Sequence, residues 1–183
     1  KKNKPKRFGS LYDSVQKSYS LYNLITDEKI FSYIKKLTGI KLQNISFNGE
    51  NIRMDVPNDK FHSLGWHQDR SYYFQNRDGN QGLVCWIPLI KINKKIGPLK
   101  LVISSHKSGF IKKYKKFKTQ KFSSFQRSVT FKKNLKKQIA LVNEGDIVFL
   151  NKNLIHASGN NNSDFIRFSL QIRVHDLMDE NYL

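Results

Sequence analysis

The sequence predicts a mainly β domain of the jelly-roll class with flanking helices at its N-terminal side. Apolar residues at helical spacing are confined to the first forty positions. Short strand-like runs separated by turn signals fill the rest. The 183 residues carry no repeat and no Pro/Gly/Ser linker, so one core is expected over residues 1–183. Hydrophobic and aromatic contents of 38% and 13% suit a folded domain and exclude a disordered one.

Residues 1–10 read as a flexible basic arm, and residues 11–46 as a helical layer. Leu11, Val15, Tyr19 and Tyr22 lie near helical spacing. Thr26-Asp27-Glu28 is a helix start with a capping hydroxyl and acids in the first turn. Ile30, Phe31, Ile34 and Leu37 continue as an apolar stripe, and Gly39 supplies the stop. Residues 47–175 read as the jelly-roll core. Strands are expected at Ile45–Phe47, Asn51–Val56, Gly82–Ile90, Leu99–Ser104, Gln138–Val142, Asp146–Leu150 and Phe165–Val174. Turns at Asn48-Gly49, Pro57-Asn58, Asp78-Gly79, Gly97-Pro98, Glu144-Gly145 and 159–162 separate them. Residues 105–137 show no periodicity and read as a lid-like insertion.

Gly65-Trp66-His67-Gln68-Asp69 carries the most chemical information. Side chains alternate along an extended segment, so His67 and Asp69 point the same way and can share a metal. His156 lies 89 residues further on, in Ile155-His156-Ala157-Ser158-Gly159. Two imidazoles and one carboxylate are the facial ligand set that holds Fe(II) and leaves the opposite face open. Arg167, eleven residues beyond His156, lies in an alternating strand where its fork could pair with a carboxylate on that metal. Ile166, Phe168, Leu170, Ile172 and Val174 share one face of that strand; Arg167, Ser169, Gln171 and Arg173 share the other. A short His-x-Asp alone is a weak signal, and the distal His and Arg make it strong. His62 reads as a loop residue, His175 as a surface residue and Trp66 as packing.

A net charge of +19 raises the question of an anionic partner such as nucleic acid. Lysines occur in nearly every segment and no base-reading motif is present, so a solvated basic surface is the favoured reading and nucleic acid is unlikely. No run of 18 apolar residues occurs, which argues against a spanning helix. The start, Lys1 to Arg7, does not read as a secretory signal, and the absence of an initiator Met reads as a processed or truncated beginning. The single Cys85 cannot form an internal disulfide, which fits a reducing cytoplasm, and its apolar run reads as a buried thiol.

Trp66-His67-Gln68-Asp69, Cys85-Trp86-Ile87-Pro88-Leu89, Gly97-Pro98-Leu99, Ser105-His106-Lys107, Glu144 to Phe149, His156 to Asn160 and the Arg167 strand come in a fixed order. In these pieces, across residues 47–175, the chain resembles the phytanoyl-CoA dioxygenase family of Fe(II)/2-oxoglutarate oxygenases. The resemblance implies a double-stranded β-helix, a cupin-like jelly roll with flanking helices. It implies Fe(II), with 2-oxoglutarate and O2 as co-substrates, and hydroxylation of a small organic molecule; the lysines of residues 105–137 would favour an anionic one. It makes His67, Asp69 and His156 the iron ligands and Arg167 the anchor of the distal carboxylate of 2-oxoglutarate, with Ser158 beside it. Gln68 and Trp86 match positions that line the co-substrate, and Arg53 and Asp55 are placed to reach it. His106 falls in a turn that is structural in the family. Related halogenases lack the carboxylate ligand, so Asp69 favours hydroxylation. The chain is shorter than family members, which have more sequence before the barrel. The readings set against this one are an oxygenase acting on nucleic acid and a metal-binding barrel without catalysis.

Overall fold

In the computed structural model, which describes residues 5–59, 63–73, 82–112, 114–118, 125–132 and 134–182, Pro5 opens helix α1 (Pro5–Val15). Proline suits a first helical position, where its missing N–H would be unpaired anyway. The helix is tied down at its far end: Tyr12 Oη donates to Ile52 O (2.7 Å), and the Gln16 amide donates to Ile52 O (3.0 Å) and accepts from Ile52 N (2.8 Å). The flexible arm expected over residues 1–10 is therefore corrected for residues 5–10, which are helical.

The helical spacing read over residues 11–22 is interrupted within that stretch. Ser18 accepts the backbone N–H of Leu21 and starts a second helix, α2 (Tyr19–Ile25). The break shifts the phase: Leu21 and Ile25 are buried, whereas Leu11 and Tyr19 of the anticipated stripe are exposed. Helix α3 (Glu28–Thr38) begins where expected, but the capping group is the Asp27 carboxylate, which accepts from Lys29 N; the Thr26 hydroxyl donates instead to Tyr22 O. Gly39 ends the helix at φ 76°, a left-handed conformation suited to glycine. Ile30 and Ile34 are buried, while Leu37 at the end of the stripe is exposed.

Nine strands occur among the described residues: β1 (Ile45–Asp55), β2 (Leu83–Pro88), β3 (Lys100–Val102), β4 (Tyr114–Lys118), β5 (Phe125–Val129), β6 (Lys137–Ile139), β7 (Val148–Asn151), β8 (His156–Ala157) and β9 (Arg167–Asp176). All pairings are antiparallel: a four-stranded sheet β1-β9-β2-β7, a three-stranded sheet β6-β3-β8 and the hairpin β4-β5. This is the mainly antiparallel jelly-roll architecture. Asn48-Gly49 proves to be no turn. The register slips between Asn48 and Asn51, so β1 carries a bulge and continues as one strand.

Strand β2 is buried along its whole length, as its unbroken apolar run suggests. One face packs Leu83, Cys85 and Ile87 with Leu170, Ile172 and Val174 of β9 against Leu21, Ile25, Ile30 and Ile34 of the helices. Its other face packs Val84 and Trp86 with Tyr73, Ile92, Leu99 and Leu150. Cys85 is fully buried, which pushes its thiol up to about 12 and leaves it inert.

Residues 105–137 are not structureless where they are described. A 3₁₀ turn (Ser105–Ser108) and the β4-β5 hairpin occupy much of the segment; the hairpin's connecting residues 119–124 lie outside the described residues, as do His62 and Asp78-Gly79. Both approaches to the hairpin are tied beside His67. Ile111 N donates to Gln68 Oε1 (2.8 Å), and Val129 N donates to Trp66 O (2.8 Å). No helix among the described residues is long and apolar enough to cross a membrane.

Candidate metal centre

Gln68 is extended (φ −119°, ψ 130°), which sets His67 and Asp69 on the same side of the chain. His67 forms a bridge with His156 of β8 through reciprocal backbone bonds, His67 N to His156 O (2.9 Å) and His156 N to His67 O (3.0 Å). The two rings lie 4.2 Å apart. One ligand atom from each of His67, Asp69 and His156 falls within 4.8 Å of the others, and all three residues are buried. Among the described residues no other His/Cys/Asp/Glu group has this arrangement.

Protonation prepares the imidazoles as ligands. His67 Nδ1 lies 2.7 Å from Gly65 O, and His156 Nδ1 lies 2.9 Å from Leu154 O. A carbonyl oxygen only accepts, so each Nδ1 carries the hydrogen and each Nε2 keeps its lone pair. Those lone pairs face Asp69: the Nε2 atoms lie 3.3 Å (His67) and 3.8 Å (His156) from Oδ1. Burial holds His156 down at about 4, so the ring is neutral near pH 7. Burial alone would raise the Asp69 carboxyl; the His67 contact and the Arg173 charge outweigh it and keep Asp69 ionised. Despite the close imidazoles, Oδ1 has no hydrogen-bond partner among the described residues, whereas Oδ2 accepts from Gln171 Nε2 (2.9 Å) and Arg173 Nε (3.3 Å). A buried, unpartnered anionic oxygen facing two imidazole lone pairs is costly unless a cation joins them. The residues present therefore fit a divalent metal.

Arg167 lies in the same cleft. It is almost completely buried and grips Asp55 Oδ2 through Nη2 (2.7 Å) and Nε (3.2 Å). Its Nη1 is buried without a partner among the described residues. Two glycines let the backbone close around it. A Cβ on Gly97 (φ 86°) would come within 3.0 Å of Nη1 and 2.7 Å of Gly159 O, and one on Gly159 within 2.2 Å of Pro98 O. Arg53, Trp86, Ser158, Arg167 and Gln171 line the cleft with His67 and His156. Leu64, Val84, Leu99 and Leu150 give it an apolar wall.

The chain matches the sequence profile of the family described as phytanoyl-CoA dioxygenase (PhyH) over residues 32–169, about three quarters of its length. It belongs to that family. No curated protein matches the sequence closely enough to count as a relative. Solved structures share the family fold. One is the nogalamycin epimerase SnoN in complex with Fe3+, alpha ketoglutarate and nogalamycin RO: 17% identity, 90% of this chain and 61% of SnoN covered, TM-score 0.67. The nogalamycin carbocyclase SnoK is 18% identical over 88% of this chain and 60% of its own, with a TM-score of 0.67. EvdO2 from Micromonospora carbonacea var. aurantiaca, complexed with 2-oxoglutarate, gives 15%, 87%, 66% and 0.64. The chain thus spans about 60% of SnoN and SnoK.

Within this family member, the sequence-predicted residues separate into three groups. His67, Asp69, His156, Arg167, Ser158, Trp86 and Arg53 converge on the centre and its cleft. Asp55 sits behind the cleft as the partner of Arg167, with Arg53 Nη2 3.5 Å from its other oxygen. Gln68, for which a co-substrate contact was expected, has its amide engaged in the protein: it donates to Gly109 O and Asn153 O and accepts from Ile111 N. His175, expected at the surface, is 1% exposed and stacks on Tyr73 at 4.4 Å. Trp66 packs edge-on against Phe131, in keeping with a packing role. Gln171 and Arg173 were not anticipated as partners of Asp69. The signal was present in the polar face they share with Arg167.

Proposed function

We propose that this chain is an Fe(II)/2-oxoglutarate-dependent oxygenase that oxidises a C–H bond of a small organic molecule. The supporting observation is the pairing, in one cleft, of three convergent ligand atoms with the unpartnered Nη1 of a buried arginine. When bound, iron with 2-oxoglutarate and O2 supplies the oxidising power, and the keto acid leaves as succinate and CO2.

The protein's own residues do the rest. His67, Asp69 and His156 offer three donors from one side and leave the cleft side open. Arg167 is held by Asp55 along its Nε/Nη2 edge, so Nη1 stays directed at an incoming carboxylate, and the Ser158 hydroxyl adds a polar contact beside it. The aliphatic wall and Trp86 exclude water from the reacting centre. Arg53 gives the substrate side a positive charge, which favours an anionic group. Asp69 occupies the place a halide would need, so hydroxylation is the favoured outcome. The insertion at 105–137 serves as a cover, rooted beside His67, that excludes water and selects substrate. A reducing cytoplasm suits both Fe(II) and the free Cys85.

Succinate release from 2-oxoglutarate, dependent on added Fe(II) and absent in His67→Ala, tests the reading. A panel of small amino, hydroxy and carboxylic acids would show which substrate couples best. Oxidation of single-stranded DNA or RNA in preference to every small molecule would overturn the substrate class.

A further inference from the structure

Strand β9 does more than deliver Arg167. Its alternate residues Arg167, Ser169, Gln171 and Arg173 share one face, and the last two converge on a single oxygen, Oδ2 of Asp69. The other oxygen, Oδ1, faces the two imidazole Nε2 atoms and takes no hydrogen bond. The Arg173 guanidinium is fixed in turn, lying 4.9 Å over the Tyr72 ring, and that ring meets His67 edge-on at 6.1 Å.

We infer that Gln171 and Arg173 are positioning residues that hold Asp69 as a one-oxygen metal ligand. The inference rests on the metal-centre reading above. Rotating the carboxylate to offer both oxygens would break the Gln171 and Arg173 bonds together. That restraint matters for coordination number. Were a metal held by His67, Asp69 and His156, its opposite face would stay open for co-substrates, and a carboxylate bound through both oxygens would take up part of that opening. Arg173 also offsets the carboxylate charge, and the Tyr72 contact keeps Nε aimed at Oδ2. A lysine would keep the charge and lose both the stacking and the Nε direction.

Anaerobic titration of the purified full chain with Co(II), followed by addition of 2-oxoglutarate, tests this. Wild type should bind one Co(II) with the weak visible absorption of a six-coordinate ion, and the band should shift on adding the keto acid. Arg173→Met and Gln171→Met should each weaken Co(II) binding about 10–100-fold, the usual range for outer partners of metal ligands. The double variant should lose less than the product of the two, because both groups hold the same oxygen. Arg173→Lys should recover less than half of the lost affinity on a logarithmic scale. Gln171→Met removes only a neutral donor, so it remains informative if Arg173→Met does not fold. A purely structural role predicts a lower melting temperature with Co(II) affinity and spectrum unchanged. Both single variants binding within twofold of wild type, with the same spectrum, would therefore overturn the inference and leave the metal centre intact. Failure of wild type to bind Co(II) would remove the centre itself, and the inference with it.

Discussion

Replacing Arg167 separates two tasks that the structure gives one side chain. Its Nε/Nη2 edge neutralises the nearly buried Asp55, and its Nη1 is left over for a carboxylate. A lysine brings one ammonium, which pairs with Asp55 or reaches the keto acid, but has no rigid fork to do both. Losing one hydrogen bond to a charged group costs about 1.5–3 kcal/mol. That is roughly a 10–150-fold loss of 2-oxoglutarate affinity, at about 1.4 kcal/mol per tenfold. Arg167→Met should lose as much binding and also destabilise the fold, since removing one partner of a buried pair costs about 3–5 kcal/mol. Asp55 keeps a 10% exposed side chain with Arg53 nearby, so the lower end is expected. The assay is a 2-oxoglutarate titration of the anaerobic Fe(II) protein, read at the visible keto-acid band, with thermal unfolding of each variant alongside. If Arg167→Lys leaves 2-oxoglutarate affinity within twofold of wild type, the anchoring role is wrong.

Stability should also report on His175. Burial holds it down at about 4, with Lys152 and Arg173 adding to the effect, so the unfolded chain takes up the proton first. Its contribution is complete above about pH 6.5 and is lost as pH falls toward 4, at about 1.4 kcal/mol per unit of depression. Denaturant unfolding between pH 7 and 4 should show a shallower pH slope in His175→Phe than in wild type, and parallel slopes would refute the assignment. Replacing Lys112, Lys113, Lys115 and Lys116 with Gln tests the covering role proposed for residues 105–137. Coupled turnover should fall while uncoupled 2-oxoglutarate consumption persists, and full coupled activity at low salt would reduce these lysines to a solvated surface.

How much could be read from sequence followed the range of the forces involved. The His67, Asp69 and His156 set was legible because alternation in an extended segment is a local rule, and the distal His sits in a recognisable strand-end motif. The α3 boundaries were legible for the same reason, as capping acts within one turn. Strand β8 was not, since two residues carry no period. The α1–α2 break hinged on one Ser18 hydroxyl competing for a backbone amide. On β9 the alternation was read correctly, but a polar face looks alike whether it meets water or a buried carboxylate. The roles of Gln171 and Arg173, and the burial of His175, depend on what the fold brings opposite them. Gln68 shows the reverse case. The family resemblance implied co-substrate contact for it, while its amide is taken by Gly109, Ile111 and Asn153, far away in sequence.

The central claim is that His67, Asp69 and His156 hold one metal that a keto acid can chelate. Anaerobic addition of Fe(II) and then 2-oxoglutarate to the wild-type chain and to His67→Ala tests it most directly. Wild type should develop a weak visible charge-transfer band at one iron per chain, and His67→Ala should develop none while remaining folded. Absence of the band in a folded, iron-saturated wild type, or an equal band in His67→Ala, would contradict the account.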